Sequence, residues 1–135
     1  MSQFHIPATR STPELFLDTE KGVYRVIGHS IPENAGKFYT PVMEWLRENI
    51  SGIRSGSVFE FCLPYFNSSS LKALYMMLME VKKESEKGKE FEVDWYIEDD
   101  DDFMTDAAET FSEMVGIKLN LRKGPLENNS DRKVA

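Results

Sequence analysis

Strands alternating with helices along most of the chain predict an α/β domain built on a largely parallel sheet. Three observations carry this. Three segments repeat apolar residues at three- and four-residue spacing, each lies between β-branched or aromatic runs, and the first two runs are joined by a short polar turn. The 135 residues suit one domain with one core. We expect a mostly parallel sheet of four to five strands, an antiparallel hairpin at its N-terminal end and three main helices.

Residues 1–14 contain Pro7, Pro13 and several hydroxyl side chains, and read as an extended arm. Residues 15–18 and 23–28 are short strands flanking the turn Thr19-Glu20-Lys21-Gly22. A turn at 32–36 precedes the first helix, in which Phe38, Val42, Trp45, Leu46, Asn49 and Ile50 share a face. Pro41 is expected in its first turns, where a missing amide is tolerated. Residues 58–63 are nearly all apolar, as for a strand covered on both faces. Ser68-Ser69-Ser70 opens the longest helix, with Leu71, Leu74, Tyr75, Leu78 and Val81 as its stripe and Gly88 as its stop. Met76, Met77 and Met79 widen its apolar surface, chiefly for the core, and a residual exposed strip would suit adaptable binding. A strand over 91–97 follows. The acids of 98–102 start a third helix carrying Phe103, Ala107, Phe111, Met114 and Val115, which Gly116 ends, and 117–121 is the last strand. The domain is thus placed at 1–122, and residues 123–135, with few apolar side chains, read as a mobile tail.

The formal net charge of −7 opposes nucleic acid as the main partner and anionic lipid as a docking surface. No run approaches the roughly 18 apolar residues of a membrane span, and residues 1–5 lack the character of a signal peptide, so a cytoplasmic protein without membrane insertion is expected. Cys62 is the single cysteine and, within an apolar strand, reads as a buried, inert thiol. His5 and His29 have no metal-ligand spacing. Asp99-Asp100-Asp101-Asp102 lacks the glycine and distal Glu of a calcium loop, and no glycine-rich phosphate cradle is present. We expect no enzyme, no metal and no cofactor.

What remains is Asn67-Ser68-Ser69-Ser70-Leu71-Lys72, at a strand-to-helix junction on the C-terminal edge of the sheet. Asn and Ser are favoured helix caps, and capping alone would account for them. The same place suits a switch. A phosphate would face free first-turn amides, Lys72 could lean back toward it, and a partner packing there would meet new negative charge.

These residues carry a resemblance. Phe66-Asn67-Ser68-Ser69-Ser70-Leu71-Lys72-Ala73, with His5-Ile6-Pro7-Ala8-Thr9, Ser11-Thr12-Pro13 and Pro32-Glu33-Asn34, closely resembles the SiaC family of bacterial regulatory phosphoproteins over about residues 2–122. That family in turn looks like the STAS anti-sigma-factor antagonists. The resemblance implies partner switching. A serine kinase of the histidine-kinase ATPase type would phosphorylate the domain and a PP2C-type phosphatase would restore it. The unphosphorylated form would bind and activate a diguanylate cyclase, raising cyclic di-GMP and favouring biofilm formation or aggregation. The family modifies a threonine where this chain has Ser68, which leaves Ser69 and Ser70 as alternatives, with Asn67, Leu71 and Lys72 around the site. The competing readings are an anti-sigma-factor antagonist and a small ligand-binding domain or enzyme, the latter lacking any clustered polar set for a pocket.

Overall fold

The computed structural model describes residues 2–98 and 101–124. Six strands lie in the sheet in sequence order: β1 (Gln3–Ile6), β2 (Glu14–Asp18), β3 (Val23–Ile27), β4 (Val58–Cys62), β5 (Glu92–Ile97) and β6 (Leu119–Lys123). β1, β2 and β3 pair antiparallel, and β3 to β6 pair parallel. The three parallel crossovers are α1 (Ala35–Asn49), α2 (Ser68–Ser85) and α3 (Asp102–Val115).

The α/β class, the N-terminal hairpin and the three helices are as expected. The sheet has one strand more than the four to five expected. Gln3–Ile6 pairs with β2 as an edge strand, placing Phe4 and Ile6 against the core. Pro7 and Pro13 lie in the connection, where no ladder amide is needed.

Because each crossover steps to the next strand in one direction and is right-handed, all three helices fall on one face of the sheet. Cross-strand partners share a face, so Leu15, Val26, Phe61 and Trp95 point together into the helical layer, as do Leu17, Tyr24, Phe59 and Val93. Trp95 is fully buried, with rings of Phe61 at 5.1 Å and Phe111 at 5.5 Å.

β4 was expected to be covered on both faces, but the helices cover one of them, the one toward which Phe59 and Phe61 point. Val58, Glu60 and Cys62 point away from the helices, onto an open face crossed by the row Phe16, Arg25, Glu60, Asp94 and Asn120. Opposite charges sit side by side there. Arg25 Nε donates to Glu60 at 2.9 Å, and Asn120 Nδ2 donates to Asp94 at 3.0 Å.

The helices begin on side-chain caps. Asn34 accepts from the Lys37 amide, Asn67 from the Ser70 amide and Asp101 from the Met104 amide. Asp99 and Asp100 lie outside the described residues, as do 125–135, on which most of the tail reading falls. α1 starts at Ala35, inside the expected turn, so Pro41, expected in the first turns, lies inside the helix beyond the opening amides that need no partner. Pro41 and Lys37 are exposed, which leaves water to satisfy the carbonyl freed by the missing amide. Leu71 departs from the expected stripe of α2. The buried line runs through Ser70, Ala73, Leu74, Met77, Leu78, Val81 and Glu84, one position earlier, and turns Leu71 outward. Gly88 follows the end of α2 in a positive-φ turn, after Glu86 has capped the helix.

Candidate functional site

The junction between β4 and α2 is held by hydrogen bonds to the end of β3. Ser30 donates its amide to the Tyr65 carbonyl at 3.0 Å, and Asn67 donates its amide to the Ser30 carbonyl at 3.0 Å. The ladder between β3 and β4 thus resumes past the strand ends and fixes the residue that caps α2. The arm closes in from the other side. The Ile31 amide donates to the Ser11 carbonyl at 2.8 Å, and Pro13 crosses so near Gly28 (φ +129°) that a Cβ there would lie 3.2 Å from Pro13 Cα. Asn67 Nδ2 also points to the Pro32 carbonyl at 3.4 Å. Three sequence segments far apart in the chain (the arm, 30–34 and 65–72) therefore meet at one edge.

Within this edge the three serines have different surroundings. Ser70 has no exposed surface, and its Oγ lies 2.8 Å from Ser30 Oγ, 2.8 Å from Asn67 Oδ1 and 3.0 Å from the Ser30 carbonyl oxygen. Ser30 Oγ in turn shares a 2.7 Å hydrogen bond with Tyr39 Oη. Proton counting orients the chain. Its far end holds only acceptors, so the Tyr39 phenol donates to Ser30, Ser30 donates to Ser70, and Ser70 donates onward. Burial pushes the Tyr39 phenol up to about 12, although the hydrogen bond with Ser30 acts in the opposite sense. Ser69 is exposed and its hydroxyl donates to Asn67 Oδ1 at 3.0 Å. Ser68 is exposed, stands first in α2 after the cap, and its hydroxyl takes no hydrogen bond among the described residues.

The surface around Ser68 is apolar for so acidic a protein. Ile31, Tyr65, Leu71 and Phe103 are large apolar side chains left exposed, and all lie on loops or first helical turns at this edge. From Ser69 and Lys72 an open groove of about 300 Å³ runs between α1 and α2, with Tyr39, Met43, Ala73 and Met76 among its lining and Arg47 and Glu44 beside them. The groove shares Tyr39 with the buried hydroxyl chain, so it is physically continuous with the cap of α2. Lys72, exposed one turn beyond Ser68, is the cation nearest along the helix.

The edge gathers Asn67, Ser68, Ser69, Ser70, Leu71 and Lys72 as expected for contiguous residues. Ser30 and Tyr39 were not anticipated, and Ser30 lies 40 residues from Ser70 in sequence. Ser30 follows His29 in a segment with no pattern of its own, and Tyr39 is next to the Phe38 that was counted on the apolar face. The histidines lie elsewhere in chemistry: His5 pairs with Glu14 at 2.9 Å and His29 is exposed. Cys62 is buried. No group of three or more metal-ligating side chains occurs among the described residues, and none of their helices is long and apolar enough to cross a membrane.

Comparison with known proteins gives the same grouping. An uncharacterized protein of Pseudomonas aeruginosa (strain UCBPP-PA14) is 28% identical over 113 residues, covering 84% of this chain and 90% of that one. Among solved structures, apo-SiaC of Pseudomonas aeruginosa superposes with a TM-score of 0.76 at 27% identity, over 90% of this chain and 99% of that one. SiaC from the complex of the diguanylate cyclase SiaD with its activator SiaC, of the same organism, gives 0.77 at 25% identity, again over 90% and 99%. The family model for SiaC regulatory phosphoproteins matches residues 6–124, and the chain belongs to that family.

Proposed function

We propose that the unphosphorylated protein docks on a diguanylate cyclase through the edge around Ser68 and activates it, and that phosphorylation of Ser68 ends the contact. The observation that carries this is the exposed hydroxyl of Ser68, without a hydrogen-bond partner among the described residues, beside Leu71 and within the exposed apolar edge. The complex of a diguanylate cyclase with its activator SiaC supports the choice of partner over a sigma-factor system. The kinase transfers the γ-phosphoryl group of ATP to Ser68 Oγ, the hydroxyl proton leaves, and ADP departs. The new ester brings nearly two negative charges to an apolar surface, while the unpaired first-turn amides and the positive end of α2 hold it in place. The domain itself need not change shape. A histidine-kinase-type ATPase is the writer, a PP2C-type phosphatase the eraser, and the cytoplasm the compartment.

Ser68 is favoured over its neighbours on geometry. Modifying Ser70 would require opening the buried chain that fastens α2 to Ser30, and modifying Ser69 would remove a donor from the capping oxygen. The family's description as regulatory phosphoproteins supports a regulator rather than a catalyst for the chain itself.

Incubation with the candidate kinase and ATP, followed by intact mass and phosphopeptide mapping, tests the reading. The expected result is a single phosphate on Ser68, lost in Ser68→Ala, with cyclase activation by the unmodified protein only. Modification unaffected by Ser68→Ala would return Ser68 to a merely structural place.

A further inference from the structure

Three serines share the first turn of α2, and exposure alone does not choose among them. Ser68 and Ser69 are both exposed, and their hydroxyls are chemically alike. What separates them is one oxygen atom. Asn67 Oδ1 accepts from the Ser70 amide at 3.0 Å, from Ser70 Oγ at 2.8 Å and from Ser69 Oγ at 3.0 Å. Capping the helix needs only the first of these bonds. The donors also orient the side-chain amide. Three of them converge on one atom, so that atom is the oxygen, and Nδ2 is left facing the Pro32 carbonyl at 3.4 Å.

We infer that Asn67 is the selectivity-determining residue of the switch, confining phosphate to Ser68 by holding the hydroxyl protons of Ser69 and Ser70; this rests on the proposed role of Ser68. In the transfer, a serine oxygen bonds to the γ-phosphorus of ATP, the bond to ADP breaks, and the hydroxyl proton passes to a base on the kinase. The proton must therefore be free to turn toward that base. At Ser68 it is, because the hydroxyl takes no hydrogen bond among the described residues. At Ser69 it points back to Asn67. Releasing it forfeits one hydrogen bond, a penalty of roughly fivefold in rate, and the side chain must leave the rotamer which that bond holds. Ser70 is closed twice over. It has no exposed surface, and its Oγ also lies 3.0 Å from the Ser30 carbonyl oxygen as a second acceptor.

An amide suits this place better than a carboxylate. Aspartate could accept the same three bonds, but it would stand beside the new phosphate as a like charge and would have no proton for the Pro32 carbonyl. Glycine would release both hydroxyls while keeping the start of the helix. It is a tolerated cap, and the extended backbone of Asn67 (φ −89°, ψ 171°) is open to it. Ser70 would stay shut even then, because its burial and the Ser30 carbonyl do not depend on Asn67 Oδ1. The released hydroxyl is that of Ser69.

Phosphopeptide mapping at early times, with the kinase and ATP, compares the wild type, Asn67→Gly, Asn67→Asp, Ser68→Ala and the double variant Asn67→Gly/Ser68→Ala. Wild type and Asn67→Asp should carry phosphate on Ser68. Asn67→Gly should divide it between Ser68 and Ser69, with the Ser69 share about fivefold above that of the wild type, and Ser70 should stay unmodified. The phosphate lost in Ser68→Ala should return on Ser69 in the double variant. A merely structural cap would slow every site together or open Ser70, without moving the share to Ser69. Folded variants with an unchanged Ser69 share, an equal diversion in Asn67→Asp, phosphate on Ser70, or a double variant without phosphate would overturn the inference and leave the role of Ser68 standing. A wild type unmodified at Ser68 would remove that role and the inference with it. Hα–Hβ couplings of the wild type decide the matter even if Asn67→Gly does not fold. They should show one fixed rotamer at Ser69 and averaging at Ser68, and averaging at both would overturn the inference.

Discussion

Each end of α2 is fastened by buried polar groups, but by opposite chemistry. At the start, Tyr39, Ser30, Ser70 and Asn67 form a neutral chain of hydrogen bonds. At the finish, the buried carboxylate of Glu84 meets Lys89 at 3.0 Å, whose ammonium also donates to the carbonyls of Ser51 at 2.8 Å and Ile53 at 2.7 Å. A buried charge fixes its partner because separation is costly, whereas a neutral chain holds through geometry and carries no net field. A neutral anchor is the one compatible with a phosphate placed next door. An ionic anchor at the same spot would have its carboxylate repelled or its ammonium drawn away. The difference places structural strength at the end far from the proposed docking edge and leaves the end beside Ser68 electrically quiet.

The ionic end should show the largest single effect. Lys89→Met removes the donor to Glu84 and to the carbonyls around 50–53, leaving a buried carboxylate paired, among the described residues, only with the exposed Lys87. Urea unfolding should reveal a loss of about 3 kcal/mol. Adding Glu84→Gln should recover part of it, because the charge that needed a partner is gone. A loss below about 0.5 kcal/mol would mean that water reaches the carboxylate and that the two ends are alike.

Acid and base should attack the two ends separately. Burial raises the Glu84 carboxyl, but hydrogen bonds from Lys89 and Lys87 lower it further, so it sits below its ordinary 4.5 in the folded protein. Its contribution is complete above that value and is lost as pH falls through the lower folded one. Tyr39 works in reverse. Its phenol stays protonated to about 12 when folded against 10 when free, so its contribution is complete below 10 and fades as pH rises toward 12. Tyr39→Phe should shrink the alkaline component of the stability profile by roughly 2–3 kcal/mol, leaving the part due to Tyr24, whose phenol burial also raises, and leaving the acid limb in place. An alkaline limb of unchanged size in Tyr39→Phe would show that the Tyr39 phenol does not contribute to it.

The contrast also explains what could be read from the sequence. Local patterns located β2 to β6 and the three helices within a few residues, because strand alternation and helix spacing are written in consecutive residues. β1 escaped because a strand of four residues between an end and a proline has too little pattern, and only its partner β2 makes it a strand. The outward turn of Leu71 was invisible for a related reason. Spacing gives the period of a helix but not its phase in the first turn, which the Asn67 cap and the Ser30 contact set. β4 looked sealed on both faces since Val58 and Cys62 are apolar, yet which side the helices take depends on crossovers far from β4. At the candidate site the serines were plain, but the chain from Tyr39 through Ser30 to Ser70 joins residues up to 40 positions apart. Nothing in either segment announces the other.

The smallest effects give the sharpest test, because they separate two serines two positions apart. Ser70→Ala deletes a link with no exposed surface, stranding the Ser30 hydroxyl and one acceptor, and should cost about 1–2 kcal/mol. Ser68→Ala removes an exposed hydroxyl that holds nothing among the described residues, so thermal unfolding should move by no more than about 0.5 kcal/mol. Phosphate acceptance should follow the opposite order, abolished in Ser68→Ala and retained in Ser70→Ala at temperatures where that variant is folded. Stability and modification would then reside in different side chains of a single helical turn. If Ser68→Ala destabilised the fold as much as Ser70→Ala, the Ser68 hydroxyl would be part of the anchor. Adding a phosphate to it would then loosen α2 itself, and the switch would act through the fold rather than on the surface alone.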